Sequence, residues 1–193
     1  MDVTVEEQKT RLRKRFITAR KTLSSNDHFS KSRFISSRLI NTKAYLDADI
    51  IHCYVSISRQ NEVATRNLIE HILSEGKKVV VPKMESQGRL SHFYIRGLEE
   101  LTENRWGVAE PALVDQNTAK VENFDLIIVP MVCGDRYKNR LGYGKGFYDR
   151  FLEGVSATKI GFLFDLQLYD EKLPTDKFDV QLDMLITESK IVG

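Results

Sequence analysis

FDLIIVP, residues 124–130, is apolar at almost every position after its single early carboxylate. A strand that is apolar continuously, rather than at every second residue, is covered on both faces, the pattern of a parallel sheet flanked by helices. Moving outward, residues 49–57 (DIIHCYVSI) and 77–82 (KKVVVP) predict two more buried strands. Between them, Asn61 is the expected cap of a helix running to Glu75, with Gly76 at the left-handed position past its end. Residues 89–95 predict a strand, and residues 96–120, with Trp106, Gly107 and Pro111, a loop. Downstream lie a helix at 147–152 and strands at 159–164 and 184–187. Strands alternating with helices give an α/β fold with a mainly parallel sheet.

The first 42 residues read as a helical segment packed on a single domain spanning 1–193. Leu12, Phe16 and Ala19 mark a narrow stripe on a basic helix over 3–21. Ser24 or Ser25 caps a second helix, with Phe29, Phe34, Ile35 and Leu39 as its expected buried side.

The chain has 193 residues, 41% hydrophobic and 29% charged, so it can bury a core and is not compositionally disordered. Its net charge of +2 argues against a dedicated nucleic-acid or membrane-surface binder. That balance hides an asymmetry. Residues 1–40 hold ten basic and four acidic side chains, and residues 161–193 hold three basic and seven acidic. The bland reading is two solvated faces; the sharper one is that they meet around an anion and its metal. Cys53 and Cys133 are the only cysteines, each in an apolar stretch, as expected of buried thiols in a reducing compartment. The four histidines lack metal-ligand spacing. The opening MDVTVEEQKTRLRKR has no apolar leader core, so a cytoplasmic protein is expected, a monomer with no membrane or nucleic-acid partner.

Chemistry concentrates in residues 139–152, NRLGYGKGFYDRFL. Gly142, Gly144 and Gly146 allow positive φ and close approach of backbone to a ligand. Arg140 and Lys145 add a planar fork and a mobile point charge suited to phosphate. Asp149 follows in the first turn of the helix, where a carboxylate can hold Mg²⁺ against phosphates. The string matches neither the P-loop nor the dinucleotide fingerprint. A structural glycine turn and a phosphate cradle both stay open on pattern alone.

RLGYGKGFYDRFL closely resembles the signature of the 5-formyltetrahydrofolate cyclo-ligases, and the resemblance extends along nearly the whole chain. Lys9–Arg13 (KTRLR) is similar to the family's K-x-x-[LM]-R segment. Asn61, Glu62, Val63 and Thr65 resemble its glutamate motif, and Val81, Pro82 and Lys83 a strand ending in Pro and a basic residue. Trp106, Gly107, Val108, Glu110 and Pro111 resemble its W/F-G-I-x-E-P element. Asp176, Asp179 and Asp183 resemble its closing acidic motif. The family usually has Gly and Phe where Met131 and Gly134 stand, a common Gly at Lys138, and often Tyr at Phe147.

The resemblance implies a three-layer α/β/α fold similar to the NagB/RpiA/CoA-transferase-like class. It implies ATP- and Mg²⁺-dependent ring closure of 5-formyltetrahydrofolate, with ATP as co-substrate and a reduced folate as substrate. It places Lys9, Arg13 and the run Arg140, Leu141, Gly142, Tyr143, Gly144, Lys145, Gly146, Phe147 and Tyr148 around ATP, with Lys145 and Arg140 catalytic. It places Val55, Glu62, Trp106, Tyr143, Gly144, Lys145, Gly146 and Phe147 beside the folate, and Asp149 and Asp179 on Mg²⁺. Two other readings stand beside it. A sugar-phosphate isomerase rests on fold analogy alone. A nucleotide- or RNA-binding module rests on the basic N-terminal segment.

Overall fold

The computed structural model describes residues 4–105, 107–112 and 117–193. Helix α1 (Val5–Lys21) opens on a capping box, in which the Thr4 hydroxyl accepts from the Glu7 amide while the Glu7 carboxylate accepts from the Thr4 amide. Ser24 caps α2 (Ser25–Ile40) through the Asp27 amide. The buried side of α2 is Ser32, Ile35 and Leu39; Phe29 and Phe34, expected there, are 52% and 60% exposed. At 100° per residue they lie about 90° and 130° around the helix from that stripe.

The short α3 (Lys43–Leu46) leads into β1 (Ile50–Cys53), which ends four residues before the expected limit. The amides of Ser56 and Ile57 bond instead to the Thr65 hydroxyl and the Glu62 carboxylate, which takes the chain out of the sheet. Asn61 does not cap a helix. It adopts φ 49° at the end of a single 3₁₀ turn, and α4 (Arg66–Ser74) starts after Thr65. Gly76 has the expected positive φ. Strands β2 (Lys78–Met84) and β3 (Leu90–Ile95) follow. The stretch expected to be a loop contains a hairpin of β4 (Leu101–Glu103) and β5 (Ala109–Pro111). The remaining elements are β6 (Leu126–Pro130), β7 (Cys133–Asp135), β8 (Arg140–Leu141), α5 (Phe147–Leu152), β9 (Thr158–Phe162), β10 (Leu168–Tyr169), β11 (Met184–Ile186) and β12 (Ile191–Val192).

The main sheet has the order β12-β11-β9-β6-β1-β2-β3, parallel from β11 to β2 with an antiparallel strand at each edge. Its strand alternation feeds two cores. Ile51, Cys53, Leu126 and Ile128 pack with Ile35, Leu39, Leu68 and Ile72 of α2 and α4. Ile127 and Val129 pack on the other face with Leu152 of α5 and Phe124. These are the three layers, α/β/α. Successive strands run outward from β1 to β2 on one side and from β6 to β9 on the other, so the order reverses between β1 and β6. Ligands in open α/β sheets bind beyond the carboxyl ends of strands at such a reversal.

The small sheet β10-β7-β8 carries the glycine loop to that point. Its hub is Asp135, fully buried, which accepts from the amides of Tyr137, Asn139 and Leu173 and from the Asn139 side chain. Leu12 and Phe16 of α1 pack on it with Val132, Cys133 and Leu141. The family departures resolve into local packing. The Met131 sulfur lies 3.2 Å from where a Cβ on Gly134 would stand, so the methionine fills space that a side chain at 134 would claim. Lys138 has φ 66°, the left-handed conformation that a glycine adopts more readily than a lysine.

The Ile127 face also encloses His52 and His92, with ring centroids 5.1 Å apart among Phe124 and Phe151. Among the described residues, neither nitrogen of His52 has a hydrogen-bond partner, nor does Nδ1 of His92. Burial holds His52 well below the usual imidazole range, reinforced by His92, and burial brings His92 down to about 4. Both rings stay neutral in the folded protein, whereas the unfolded chain takes protons near pH 6.5. Stability is therefore expected to fall as pH drops from about 6.5 toward 4. Thermal midpoints at pH 7.5, 6 and 5 should decline less steeply in His92→Leu than in the unsubstituted protein. Equal slopes would remove the histidines from the acid response.

Candidate active site

A cavity of about 900 Å³ opens at the reversal point. Tyr54 and Val55 line it from the end of β1, Pro130 from the end of β6, and residues 140–149 along the glycine loop and α5. Gly144 and Gly146 take φ 86° and 67°, whereas Gly142 does not have a positive φ. A Cβ on Gly144 would sit 3.0 Å from the Arg13 guanidinium carbon, so the arginine lies directly against that glycine. Arg13 in turn donates to the Gly142 carbonyl at 3.1 Å and pairs with Glu6 at 2.8 Å.

At one end of the cavity, cations and carboxylates are interleaved. Lys9 is buried and bonds Asp176 at 2.6 Å and Asp179 at 2.5 Å. Burial alone would lower its pKa; the two carboxylates outweigh that and raise it. Arg140 is also buried and pairs with Asp149 at 2.6 Å, while its Nε has no hydrogen-bond partner among the described residues. Burial lowers the Arg140 pKa, against the pull of Asp149 and Asp179. Lys145 lines the cavity with its side chain exposed, and its ammonium forms no ion pair among the described residues. Lys9 is not itself a lining residue; it reaches the cavity through Asp179. Lys31 of α2 also pairs with Glu188. The basic start and acidic end of the chain thus meet, partly at the cavity and partly behind it.

The other end is apolar with one buried acid. Val55, Pro82, Met84, Leu90, Val108 and Phe147 supply the apolar wall. Glu62, 5% exposed, accepts from the Ile57 amide at 2.8 Å and from the Tyr143 hydroxyl at 2.7 Å. Burial raises its pKa, opposed by those two bonds and by Arg20. The Tyr148 hydroxyl lines the cavity, buried without a hydrogen-bond partner among the described residues, and burial raises its pKa well above the phenol range. Of the residues expected at the site, Val55, Glu62, Arg13, Asp179 and all of 140–149 line this one cavity. Trp106 lies outside the described residues.

Arg20 was not among the expected residues. It is 1% exposed and donates to the carbonyls of Gln60 and Met131 and to the Tyr143 hydroxyl. In sequence it is one of ten basic residues in a basic segment, and nothing local distinguishes it.

Comparison with known proteins identifies the family. The model of the 5-formyltetrahydrofolate cyclo-ligase family matches residues 5–188. The chain is 36% identical over 142 residues to the 5-formyltetrahydrofolate cyclo-ligase of Escherichia coli K12, covering 71% of this chain and 78% of that protein. It is 30% identical to a probable enzyme of the same name from Schizosaccharomyces pombe, over 86% and 89% of the two chains. Its fold is similar to the Aquifex aeolicus 5,10-methenyltetrahydrofolate synthetase, with TM-score 0.83 at 30% identity, covering 95% and 91%. It is also similar to the Mycoplasma pneumoniae synthetase, with TM-score 0.74 at 26% identity, covering 93% and 98%.

Proposed function

The chain belongs to the 5-formyltetrahydrofolate cyclo-ligase family, and from that premise we propose that it converts 5-formyltetrahydrofolate to 5,10-methenyltetrahydrofolate with ATP and Mg²⁺. The observation that carries this reading is one cavity with a phosphate-suited, charge-interleaved end and an apolar end bearing a buried carboxylate. An N-formyl group is an amide whose oxygen leaves poorly. ATP phosphorylates that oxygen, nitrogen 10 attacks the activated carbon and loses its proton, and phosphate departs with the former formyl oxygen. Phosphoryl transfer needs alignment and charge neutralisation more than a protein nucleophile. Lys145, exposed and without an ion pair among the described residues, is the γ-phosphate contact; Arg140 offers its Nε; Arg13 and the positive-φ glycines bring a guanidinium and backbone amides to the phosphates.

Asp149 and Asp179 fit Mg²⁺, which favours one or two carboxylates together with phosphate oxygens. Both line the cavity, Asp149 paired with Arg140 and Asp179 with the buried Lys9. When bound, the metal supplies further neutralisation of phosphate charge. Arg140 would exchange Asp149 for phosphate, and the unpaired Lys145 ammonium offsets part of the added negative charge, while Lys9, buried behind Asp179, holds that carboxylate in place. Phe147, Val55 and Pro82 hold the flat rings of the folate, with Glu62 at its pterin or formyl end.

No helix among the described residues is long and apolar enough to cross a membrane. Two buried free cysteines, with burial pushing Cys133 up to about 12, support the reading of a cytoplasmic, reducing location. The reading is tested by mixing the protein with 5-formyltetrahydrofolate and Mg²⁺ and following the methenyl chromophore with and without ATP. Product is expected only with ATP; a folded sample that forms none overturns it.

A further inference from the structure

Arg20 is not itself a lining residue of the cavity, yet its donors tie together two lining residues, Gln60 and Tyr143, and Met131, the residue after the lining Pro130. Nε bonds the Gln60 carbonyl at 2.8 Å, in the turn just before Glu62. Nη1 bonds the Met131 carbonyl at 3.2 Å, directly after β6. Nη2 bonds the Tyr143 hydroxyl at 2.6 Å, in the glycine loop. The guanidinium also lies 5.7 Å from the Tyr143 ring centroid. A guanidinium has donors only. The Tyr143 oxygen must therefore accept from Arg20, which leaves its one proton for Glu62, 2.7 Å away.

We propose that Arg20 is a positioning residue for folate: through the Tyr143 hydroxyl it fixes the Glu62 carboxylate at the folate end of the cavity. This rests on the reading of Glu62 as a folate contact. The relay has an electrostatic consequence. A buried carboxylate drifts toward its neutral form unless a nearby cation and donors favour the anion. The groups facing Glu62 are Arg20 from α1, Tyr143 from the glycine loop, Tyr54 after β1, Tyr148 from α5, and His28 of α2, whose Nε2 lies 2.7 Å from the Glu62 carbonyl. Arg20 is the group among them that carries a fixed positive charge. Without it, Glu62 protonates at higher pH.

The test compares Arg20→Met, Arg20→Lys and Tyr143→Phe by the pH profile of kcat/KM for folate and by KM for each substrate. Arg20→Met should move the acid limb up by about one pH unit, making the loss roughly tenfold larger at the acid end than at the alkaline end. KM for folate should rise while KM for ATP changes less than twofold. Tyr143→Phe, which cuts the relay but keeps the ring and the buried cation, should shift the limb in the same direction. Arg20→Lys, retaining charge without the fork, should recover the limb while leaving KM for folate raised. Should Arg20→Met fail to fold, the other two variants decide the matter. Losses parallel at every pH, or an unshifted limb in Tyr143→Phe, would overturn the positioning role. A wild-type protein with no methenyl formation would instead overturn the proposed function.

Discussion

Lys145→Ala is expected to lose about 10²–10³-fold in turnover while melting at the same temperature as the parent protein. The size follows from removing one preorganised electrostatic contact to a developing transition-state charge. The unchanged stability follows from the side chain's position: it is exposed, and its ammonium has no ion-pair partner among the described residues to leave behind. Surface substitutions of this kind stay within about 0.5 kcal/mol. The loss should fall mainly on kcat, because a point charge on the transferred phosphoryl matters most where charge is redistributed. Steady-state kinetics and a thermal melt on the same preparation check both halves. Normal turnover would remove Lys145 from the chemistry.

Arg140→Met is expected to do more, and to do it in two ways. Turnover should fall by about 10³-fold or more, the scale of a guanidinium that stabilises a phosphoryl transition state. Stability should fall as well, because Arg140 is buried and its removal strands Asp149 without its 2.6 Å partner. Stranding a fully buried charge costs about 3–5 kcal/mol. Asp149 is a quarter exposed, so water recovers part of that and about 1–3 kcal/mol is expected. Mg²⁺ should narrow the stability deficit by taking over the Asp149 carboxylate. Denaturant unfolding with and without Mg²⁺, beside kcat, separates the two effects. Full turnover, or a deficit indifferent to Mg²⁺, would contradict the assignment.

The contrast between these two cations shows where sequence reasoning succeeds. The run at 124–130 signals a covered parallel strand because every position is apolar, and β6 is that strand, at the centre of the sheet. The glycine loop is legible because its chemistry is contiguous: Arg140, Lys145 and Asp149 lie within ten residues, and α5 has the expected limits of 147 and 152. The family resemblance adds the distant Glu62 and Asp179, which line the same cavity.

What stayed hidden is what depends on contacts far apart in sequence. Arg20 bonds residues 60, 131 and 143, and no spacing within α1 announces that. Asp135 organises the small sheet from a three-residue strand too short to carry a periodic pattern. The end of β1 was misplaced because an apolar run continues through Ile57, while the amides there are captured by the side chains of Thr65 and Glu62. Phe29 and Phe34 look like core residues by type, but helical phase turns them outward. The opposite charges at the two ends of the chain were visible from the start. That Lys9 sits buried between Asp176 and Asp179 was not.

The fate of the formyl oxygen tests the central claim most directly. Substrate carrying ¹⁸O in the formyl group is turned over with ATP and Mg²⁺, and the inorganic phosphate is examined by mass spectrometry. Phosphorylation of that oxygen predicts one ¹⁸O in each phosphate released, in step with methenyl formation. Unlabelled phosphate, with the ¹⁸O appearing in water, would contradict it.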